Sequence, residues 1–454
     1  MTVAEAPSQL MSVETALERI LAAVPGSTPP EEIAIADALW RVPSHPVVAT
    51  VSLPPWDNSA MDGYAIRAAE VAEATESDPV RLHVIGDAPP GAAATAAVSA
   101  GTAVRIATGA PLPAGADAVV PVELTTPIDA AGHLGHRGRD ATGPLPAACL
   151  VHSSVPAGGS IRRGGSDIVA GQTIAPAGRA LTPSSVALAA GAGVSTVEVH
   201  RRPLIGVLAT GDELRSPGQP LGPAGIPDAN GPGLRALVRA AGGEVVDLGI
   251  VGDHLEDVTR RLRHGLERGV DALIVSGGVS VGPFDVIKLA FESIGRLDLW
   301  RVAVQPGKPF AFGTAEEANG RTRALLFGLP GNPVSTAVTF ELFVRPAIRR
   351  LGGHERLNRP PDRAVLLEDV SKSHGRRAFL RVVVERDADG APRRDREGRI
   401  PVRLAGGALG QGSHVLSALA VADALAVIPE AADDLAAGSG VELRWLDGPD
   451  AGQA

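Results

Sequence analysis

The chain has 454 residues, with 42 Lys or Arg and 51 Asp or Glu, so its formal net charge is −9. This acidic balance argues against a general nucleic-acid binder, which needs basic side chains to neutralise phosphates. At about 150 residues per domain the length predicts roughly three domains, and a hydrophobic content of 44% is enough to fill their cores.

The first predicted element is a helix from Met11 to Val24, because apolar residues recur there at helical spacing on one face. Ser12 is a candidate cap for its start. The apolar stripe needs a partner surface, which either the same chain or a second subunit would supply.

Residues 45–125 favour short strands, since alternating apolar runs at 81–86, 103–107 and 118–122 are separated by Gly and Pro. Residues 127–148 lack any periodicity, which predicts a mobile surface insertion.

Strands and helices alternate from Pro203 onward, a pattern typical of a parallel sheet covered by helices. Asn230 is a candidate cap of the first of these helices. Strands are predicted at 204–209, 244–250 and 270–275 and near 302 and 325, and helices at 231–241, 255–268, 284–294 and 334–351. After a linker at 358–362, predicted strands at 364–367, 379–385, 399–404, 424–428 and 441–444 indicate a small all-β domain.

The single cysteine and the first residues bear on the compartment. A lone thiol, Cys149, excludes an internal disulfide, a thiolate zinc site and Cys-x-x-Cys redox chemistry. The first residues lack the basic stretch and apolar core of a signal peptide, and no apolar run is long enough to span a bilayer. We therefore expect a cytoplasmic protein with no membrane partner and no nucleic-acid partner.

Glycine-rich loops follow the predicted strands, where an open parallel sheet binds its ligands. Free N–H groups at a helix start attract phosphate, and glycines let a ligand approach the backbone closely. The loop at Gly277 and Gly278 therefore predicts a phosphate site, with hydroxyl groups from Ser276 and Ser280 and a positive charge from Lys308. The alternative is that these loops are ordinary tight turns between strand and helix.

Three acids, Glu213, Asp253 and Asp285, are expected to converge on the same rim of the sheet. Because uncompensated carboxylates repel one another, they predict a hard divalent cation such as Mg²⁺, with phosphate oxygens as its other ligands. The alternative for Asp253 is the N-cap of the next helix, and Asp212 is expected to shape its turn.

A second constellation precedes the sheet, where residues 54–65 hold two acids, Asp57 and Asp62, together with Trp56 and the chain's one tyrosine, Tyr64. The alternative is a turn between strands, since Asp-Asn-Ser and Asp-Gly favour turns. Two further segments carry polar groups: Arg105 and Thr108 near a strand end, and two arginines with Asp167 at 162–168, which otherwise form a solvated turn.

These segments occur in an order that resembles the molybdopterin molybdenumtransferases, the family of MoeA and the gephyrin E domain. The resemblance runs from about residue 12 to about 445. It rests on Asp57–Ala65, Thr108–Ala110, Thr210–Leu214, Ser276–Gly282, Pro306–Pro309 and Leu329–Pro333.

The resemblance implies a multidomain α/β plus β protein. Residues 1–202 would form an N-terminal region, with a helical dimerisation part at about 8–47 and 150–202 and an inserted β-rich domain at about 48–149. Residues 203–357 would form a parallel-sheet molybdopterin-binding domain, which resembles that of the adenylyltransferases, and 358–454 a small β-barrel-like domain. Family members are homodimers whose cleft lies between the sheet domain of one subunit and the N-terminal β region of the other.

The resemblance also implies a reaction. The family transfers molybdenum from molybdate to adenylylated molybdopterin and releases AMP, with Mg²⁺, to give the molybdenum cofactor. Transient contacts with the adenylyltransferase and with apo-molybdoenzymes follow from that role. The two sulfurs that take molybdenum belong to the pterin, so the protein needs no thiolate of its own.

The resemblance assigns roles at matching positions, and the protein would act by positioning and charge stabilisation rather than through a covalent nucleophile. Catalytic residues are expected at Asp57, Asp62, Thr108, Asp167, Glu213, Asp253 and Asp285, with Glu213, Asp253 and Asp285 on Mg²⁺ and the first four contributed by the other subunit. Ligand-binding residues are expected at Ser276, Gly277, Gly278, Ser280, Pro306, Gly307, Lys308, Gly331 and Asn332, with Lys308 on phosphate or molybdate.

The chain departs from the family pattern at several positions. Ser166 stands where many members have Glu, which leaves the role of its loop open. Thr314 stands where many have a basic residue, and the missing charge is expected to alter oxyanion affinity. Residues 127–148 look longer than usual. Asp423-Ala424 replaces the commoner Asn-Gly, with little effect expected.

Two other functions remain open from the sequence. One is the adenylyltransferase that makes the adenylylated pterin, although that enzyme has a single short domain and a Gly-Gly-Thr-Gly loop. The other is a scaffold that binds a partner peptide. The presence of four acids argues against it: Asp57, Asp62, Glu213 and Asp285.

Overall fold

Residues 10–138, 143–277, 286–316, 322–407 and 410–446 are described by a computed structural model of the protein, apart from the side chains of 299 and 300. None of the helices in these ranges is both long and apolar enough to cross a membrane.

The N-terminal region begins with one helix and then forms mostly short strands. Its elements are α1 (Val13–Ala23), β1 (Pro30–Ala34), β2 (Val47–Val48), β3 (Asn58–Ser59), β4 (Gly63–Ile66), β5 (Val80–Ala88), β6 (Thr102–Ile106), β7 (Ala118–Pro121), β8 (Thr125–Ile128), β9 (Ala148–Val151), β10 (Ile161–Arg162), β11 (Thr173–Ala175), α2 (Pro183–Gly191) and β12 (Thr196–His200), with short 3-10 turns at Ile35–Asp37, Ala68–Val71 and Val122–Leu124.

Helix α1 packs within its own chain rather than leaving its apolar stripe for a second subunit. Ser12 caps its start, because the Ser12 side chain accepts a hydrogen bond from the Thr15 N–H at 3.1 Å. Val13, Ala16 and Ile20 join the core of the sheet domain that follows. The helix therefore docks on a part of the chain that is made about 200 residues later.

Six strands of the N-terminal region form one sheet in the order β7-β4-β6-β5-β9-β8, which is the β-rich part predicted between residues 45 and 125. The predicted insertion at 127–148 is partly regular at its ends, since β8 and β9 pair from Thr125↔Val151 to Ile128↔Ala148. The Arg105 side chain reaches its later part, donating to the Gly143 carbonyl at 2.8 Å. These ends belong to the sheet because their apolar residues face its core.

The middle of the chain alternates strands and helices. Its elements are β13 (Leu204–Thr210), β14 (Leu214–Arg215), β15 (Ile226–Pro227), α3 (Asn230–Ala240), β16 (Glu244–Val251), α4 (Leu255–Glu267), β17 (Ala272–Ser276), α5 (Val286–Glu292), β18 (Arg296–Arg301), β19 (Val304–Gln305), β20 (Pro309–Glu316), β21 (Thr322–Leu329), α6 (Pro333–Thr339) and α7 (Arg345–Leu351). A π-helical turn at Phe340–Val344 joins α6 to α7, so the single predicted helix at 334–351 has an irregular centre.

The central sheet has the order β16-β13-β17-β21-β20-β18 and is mixed rather than wholly parallel. The first four strands are parallel, as predicted, whereas β20 runs antiparallel to both β21 and β18. The strand predicted near Val302 is β18, which ends at Arg301 and forms the edge of this sheet, whereas Val302 itself makes only an isolated bridge to Met11. One face packs on α1, α3, α6 and α7, and the other packs on α4 and α5.

The C-terminal part is a closed barrel. Its elements are β22 (Asp362–Leu366), β23 (Val370–Ser371), β24 (Arg377–Val384), β25 (Ile400–Leu404), α8 (Leu416–Ala420), β26 (Ala424–Ile428), β27 (Asp434–Leu435) and β28 (Gly440–Trp445). Pairing runs β24-β25-β22-β28-β26 and returns to β24, which closes five strands. Because β19 also pairs with β24, the segment before β20 ties the barrel to the sheet domain.

Candidate functional site

The carboxyl ends of the parallel strands form one rim, as the sequence predicted. Strands β13, β17 and β21 are aligned so that Ala209 lies beside Ser276 and Ser276 lies beside Leu329. The antiparallel strand β20 begins at this same edge, because Ala311 pairs with Gly328. The loops after β13, β16 and β21, the loop before β20 and Gly277 at the end of β17 therefore meet at one edge of the sheet.

The segment 306–308 reaches the rim by a different route from the predicted one. It does not follow a strand of the central sheet, because β19 pairs with β24 of the barrel instead. Gly307 has φ +113, and a Cβ there would lie 2.6 Å from the Thr339 Cγ2 atom. Lys308 is exposed next to it and precedes β20. The cation thus stands where it was expected, on the loop that enters the sheet at the rim.

Backbone at the end of β17 packs closely enough to exclude side chains. Gly277 has φ +105, and a Cβ at that position would lie 2.2 Å from the Thr210 carbonyl oxygen. The Gly277 N–H donates to the Leu329 carbonyl at 3.3 Å, and Gly331 lies directly beside Gly277. Only glycine fits at position 277, because its backbone packs directly against the end of β13. Gly278, Ser280 and Asp285 lie outside the described residues.

Asn230 joins two loops of the rim, a role that the sequence did not indicate. Its Nδ2 donates to Ser276 Oγ at 2.8 Å and to the Gly331 carbonyl at 2.7 Å. Ser276 is itself buried, and its hydroxyl lies 3.3 Å from the Pro330 carbonyl. Within the described part of the chain, Asn230 Oδ1 is buried and has no hydrogen-bond partner. This geometry leaves an acceptor at the rim for a donor group of a ligand.

The predicted capping role of Asn230 is wrong, because Asn230 is the first residue inside α3. The side chain of Asp228 caps this helix start instead, since its Oδ1 accepts from the Gly231 N–H at 2.9 Å. In the sequence both Asp228 and Asn230 precede the helix, and only one of them can cap it. Because Asp228 does so, the Asn230 side chain is available for hydrogen bonds elsewhere.

Three carboxylates lie together on the side of the rim formed by β13 and β16. Asp212 Oδ1 accepts from the Asp253 N–H at 3.1 Å, and the Glu213 carboxylate folds over Gly211, where a Cβ would lie 2.6 Å from it. Burial, together with repulsion from Asp212 and Glu213, raises the pKa of Asp253, and the nearby Thr210 hydroxyl acts in the opposite sense. Asp253 does not cap α4, whose N-cap is His254. A raised carboxyl pKa among neighbouring acids indicates an electrostatic demand for a cation.

The described residues contain no group of three or more His, Cys, Asp or Glu side chains arranged to hold a metal ion. The predicted metal set of Glu213, Asp253 and Asp285 includes a residue outside those ranges, so it stays a prediction. The donor chemistry of Glu213 and Asp253 fits a hard cation, because oxygen ligands suit Mg²⁺.

A buried arginine from the barrel, Arg381 of β24, faces the same side of the molecule and was missed by sequence reasoning. Its side chain is fully buried, and its Nη2 donates to the Gly412 carbonyl at 3.2 Å. Its Nε and Nη1 atoms have no hydrogen-bond partner within the described residues. Burial lowers the pKa of Arg381. The sequence pattern that could have identified Arg381 is a single cationic residue within the otherwise apolar run Ala378–Val384.

The loop that covers Arg381 also contacts the rim. Asn332 Nδ2 donates to Ser413 Oγ at 3.0 Å, and the Val334 N–H donates to the Ser413 carbonyl at 3.3 Å. Gln411 fixes this loop, since its Oε1 accepts from the Arg381 N–H at 2.8 Å. The barrel therefore adds a buried positive charge beside the rim of the sheet.

The N-terminal acids form a second, separate cluster. Asp57 accepts from Arg163 Nη1 at 2.5 Å and from the Gly164 N–H at 2.8 Å. These hydrogen bonds, from Gly164 first and then from Arg163, lower the pKa of Asp57. Asp62 accepts from both the backbone N–H of Thr108, at 2.7 Å, and its hydroxyl, at 2.9 Å. Both acids are thus fixed on tight turns by these hydrogen bonds.

Aromatic residues in this cluster differ in role. Trp56 is half exposed beside Asp57, whereas Tyr64 is fully buried in the core of the β-rich sheet. The Asp167 N–H donates to the Leu53 carbonyl at 3.0 Å, and its carboxylate makes no hydrogen bond or ion pair within the described ranges. Tyr64 is therefore structural, and Trp56 is the aromatic that a ligand can reach.

The structure brings the predicted residues into two groups rather than one. Across the described ranges, no hydrogen bond or ion pair joins the Asp57–Asp62 cluster to the rim of the sheet. Thr314 lies five residues into β20, about 17 Å from the rim, so the expected influence of its missing charge on an oxyanion there is not supported.

Family models cover nearly the whole chain. The MoeA N-terminal region (domain I and II) matches residues 11–193, the "Probable molybdopterin binding domain" matches 206–350, and the MoeA C-terminal region (domain IV) matches 363–444.

Two relatives of similar length have the same enzyme name. The chain is 35% identical to molybdopterin molybdenumtransferase 2 of Mycobacterium tuberculosis over 436 residues, covering 94% of this chain and 97% of the relative. It is 32% identical to molybdopterin molybdenumtransferase of Haemophilus influenzae, covering 96% and 98% of the two chains.

A solved structure, that of the molybdopterin biosynthesis MoeA protein from Pyrococcus horikoshii, matches with a TM-score of 0.76 at 28% identity. The match covers 97% of this chain and 100% of that one. The predicted fold class is confirmed.

Proposed function

The chain belongs to the molybdopterin molybdenumtransferases, enzymes that insert molybdenum into molybdopterin in molybdenum cofactor biosynthesis, and we propose that its substrates are molybdate and adenylylated molybdopterin, with release of AMP and dependence on Mg²⁺. The observation that carries the proposal is the rim of the sheet, where glycine backbone, a cluster of carboxylates and the exposed Lys308 lie at one edge.

The centre of the rim suits the phosphate of the pterin nucleotide. Gly331 is exposed at this point and lies beside the tightly packed Gly277, and Ser276 and Asn230 supply polar atoms at its base. Because both Nδ2 bonds of Asn230 are made within the protein, Asn230 would position this site rather than donate to the phosphate. Gly278 and Ser280 are proposed to continue this site, as the family resemblance implies.

The acidic side of the rim suits Mg²⁺. Glu213 and Asp253 would hold the ion together with Asp285, and the raised pKa of Asp253 supports this because a cation would relieve the repulsion that causes it. When bound, the ion would withdraw charge from the phosphoanhydride oxygens. Asp212 keeps the Asp253 backbone in place, so its own role is positioning.

Molybdate is a dianion and needs positive charge in a site from which water is excluded. Lys308, on the loop that Pro306 and Gly307 shape, is exposed at the rim. Arg381 is buried in the barrel, under the loop at 410–413 that contacts Asn332, and two of its nitrogens are unpaired in the described structure. A buried guanidinium without a carboxylate partner is costly, so an anion is the partner that would repay the cost. Asn332 contacts this loop through Ser413, next to the Gly412 carbonyl that accepts from Arg381.

We propose that the active protein is a homodimer in which Asp57, Asp62, Thr108 and Asp167 of one subunit approach the rim of the other. The separation of the two clusters within one chain supports this arrangement. These acids would orient the substrate rather than act as nucleophiles, because their turns fix them in place. Transient contacts with the adenylyltransferase and with apo-molybdoenzymes in the cytoplasm belong to the same proposal.

The test is a defined assay with purified protein, adenylylated molybdopterin, Mg²⁺ and molybdate, following AMP release and reconstitution of an apo-molybdoenzyme. We expect AMP release that depends on molybdate, and a loss of about 100-fold in Asp253→Asn. Asp257→Asn, an exposed acid one turn along on α4, is the matched control and should keep full activity. AMP release that ignores molybdate would refute the insertase assignment, and pterin-nucleotide binding without release would leave a carrier or scaffold.

The Asp253→Asn variant should fold at least as well as the parent. Its raised pKa means that the native state holds the carboxyl proton more tightly than the unfolded state, so ionisation at neutral pH destabilises the fold. A melting temperature equal to or above that of the parent therefore separates lost chemistry from lost folding.

A further inference from the structure

A cavity of about 360 Å³ lies at the opposite edge of the central sheet from the rim. One wall comes from Trp40 and Arg41 of the N-terminal region. The other walls come from Pro203, just before β13, and from the carboxyl ends of α3 and α7. The cavity is within the size range of small-molecule sites, and it bridges two parts of the chain.

The lining of this cavity is strongly basic. Its fourteen residues include two histidines and no acid. The six arginines in the lining are Arg41, Arg201, Arg202, Arg239, Arg349 and Arg359.

Acids outside the lining compensate three of these arginines. Arg41 pairs with Glu31 at 2.5 Å, and Arg201 pairs with Asp271 at 2.8 Å. Arg359 pairs with Glu341 at 3.1 Å.

Arg202 and Arg239 have no carboxylate partner among the described residues, and Arg239 donates only to a backbone carbonyl, that of Arg235 at 3.5 Å. The carboxyl ends of α3 and α7 offset part of the charge, but each is equivalent to only about half an elementary charge. Arg202 and Arg239 therefore leave the cavity with an excess of positive charge.

The lowered pKa of His354 is consistent with this excess of positive charge. Burial lowers its pKa to about 3, and the charges of Arg349 and Arg345 act in the same direction. The imidazole is therefore neutral at physiological pH. It lines the cavity as a neutral polar group among cations.

Trp40 gives the cavity an aromatic wall. It has φ +60, which is uncommon for a residue with a side chain, and its N–H donates to the Leu181 carbonyl at 2.9 Å. Residues held in this region of backbone space cluster at ligand sites. An indole next to arginines suits a ligand with phosphate at one end and a flat group at the other.

We propose that this cavity is a second ligand site, which binds a small phosphorylated anion and holds the N-terminal region against the sheet domain. Arg41 would reach the anion from one side, and Arg202 and Arg239 from the other. The site is built from residues that the proposed reaction does not use.

The test is calorimetric titration of the full chain with inorganic pyrophosphate. We expect a binding event at the cavity that weakens about 100-fold in the double variant Arg202→Gln/Arg239→Gln, which removes two charged contacts. The matched control Arg261→Gln/Arg263→Gln removes the same charge from exposed positions on α4 and should bind as the parent does. Lys308→Gln, at the rim, should also leave this event unchanged.

A second variant distinguishes a lost ligand site from misfolding of the double variant. Ala240→Glu places a carboxylate at an exposed position of the lining without removing an arginine, and it should abolish the same event. Titration with ADP distinguishes a nucleotide from an inorganic anion, since tighter ADP binding lost in the same variants would assign the Trp40 wall to a base. The proposal is overturned if the parent shows no such event, or if it persists in Ala240→Glu.

Discussion

Asn230 Nδ2 lies 2.8 Å from Ser276 Oγ, although the two residues are 46 positions apart in the chain. This hydrogen bond joins the start of α3 to the end of β17, and the second Nδ2 bond extends the link to Gly331 on a third loop. The centre of the rim is thus held by one amide. Because that amide keeps an acceptor oxygen unpaired within the described residues, it can contact a ligand as well as position its neighbours.

Replacing Asn230 by Ala should weaken binding of the pterin nucleotide about tenfold or more, because Ser276 Oγ and the Gly331 carbonyl both lose a donor. Equilibrium binding of the pterin nucleotide measures the effect. Asn358→Ala, an exposed amide in the linker to the barrel, is the matched control and should bind normally. Unchanged binding in Asn230→Ala would show that the rim does not contact the nucleotide.

Replacing Arg381 by Met should separate anion binding from stability. Removing a buried, partly unpaired cation is expected to change the free energy of unfolding by no more than about 1–2 kcal/mol. The molybdate concentration for half-maximal AMP release should rise about tenfold or more, because the oxyanion loses a charged contact. Arg403→Met, on the exposed surface of β25, should change neither quantity. A normal molybdate dependence would remove Arg381 from the site.

Acid should destabilise the protein partly through His354. Its pKa in the native state, about 3, lies below the unfolded value near 6.5, so the unfolded state binds more protons in this window. Above about pH 6.5 this imidazole does not reduce the free energy of unfolding. As the pH falls below that value the free energy of unfolding decreases, by roughly 3 kcal/mol at pH 4. Urea unfolding at pH 7 and pH 4 should show a smaller difference for His354→Gln than for the parent. His136→Gln, at an exposed position, should retain the full difference.

Mixing two inactive variants tests the shared site. If the acids of one subunit serve the rim of its partner, Asp57→Asn and Asp253→Asn should each be inactive alone. Unfolding and refolding an equal mixture should restore about a quarter of the sites, because half the dimers are hybrids and each hybrid has one intact site. No recovery, with both variants folded and exchanging subunits, would place all the catalytic residues within one chain.

Much of the sheet domain could be predicted because its signals are local. The buried strand that ends at Ser276 and the amphipathic helices beside it follow from spacing alone, and the rim follows from the rule for parallel sheets. The antiparallel strand β20 was missed because an apolar run does not reveal its direction. Its direction brings Lys308 to the rim all the same.

The missed residues depend on contacts between distant segments. Asn230 reads as a helix cap until Asp228 is seen to fill that role, and Arg381 is one of many arginines until the barrel buries it. Neither the hydrogen bond of Asn230 to Ser276 nor the approach of Ser413 to Asn332 leaves a local pattern. The assignment of Asp57 and Asp62 to a catalytic role rests on the family resemblance, since the turns that they stabilise would explain them equally well.

The docking of α1 on the sheet domain has a consequence for synthesis on the ribosome. The core that buries Val13, Ala16 and Ile20 also contains Leu351 and Val427, so it is assembled from both ends of the chain. At about 5–20 residues per second, the ribosome needs roughly 15–65 s after α1 emerges to reach the end of α7. Throughout that interval the apolar face of the first helix has no native partner, which makes the nascent chain a client for chaperones that shield exposed hydrophobic segments.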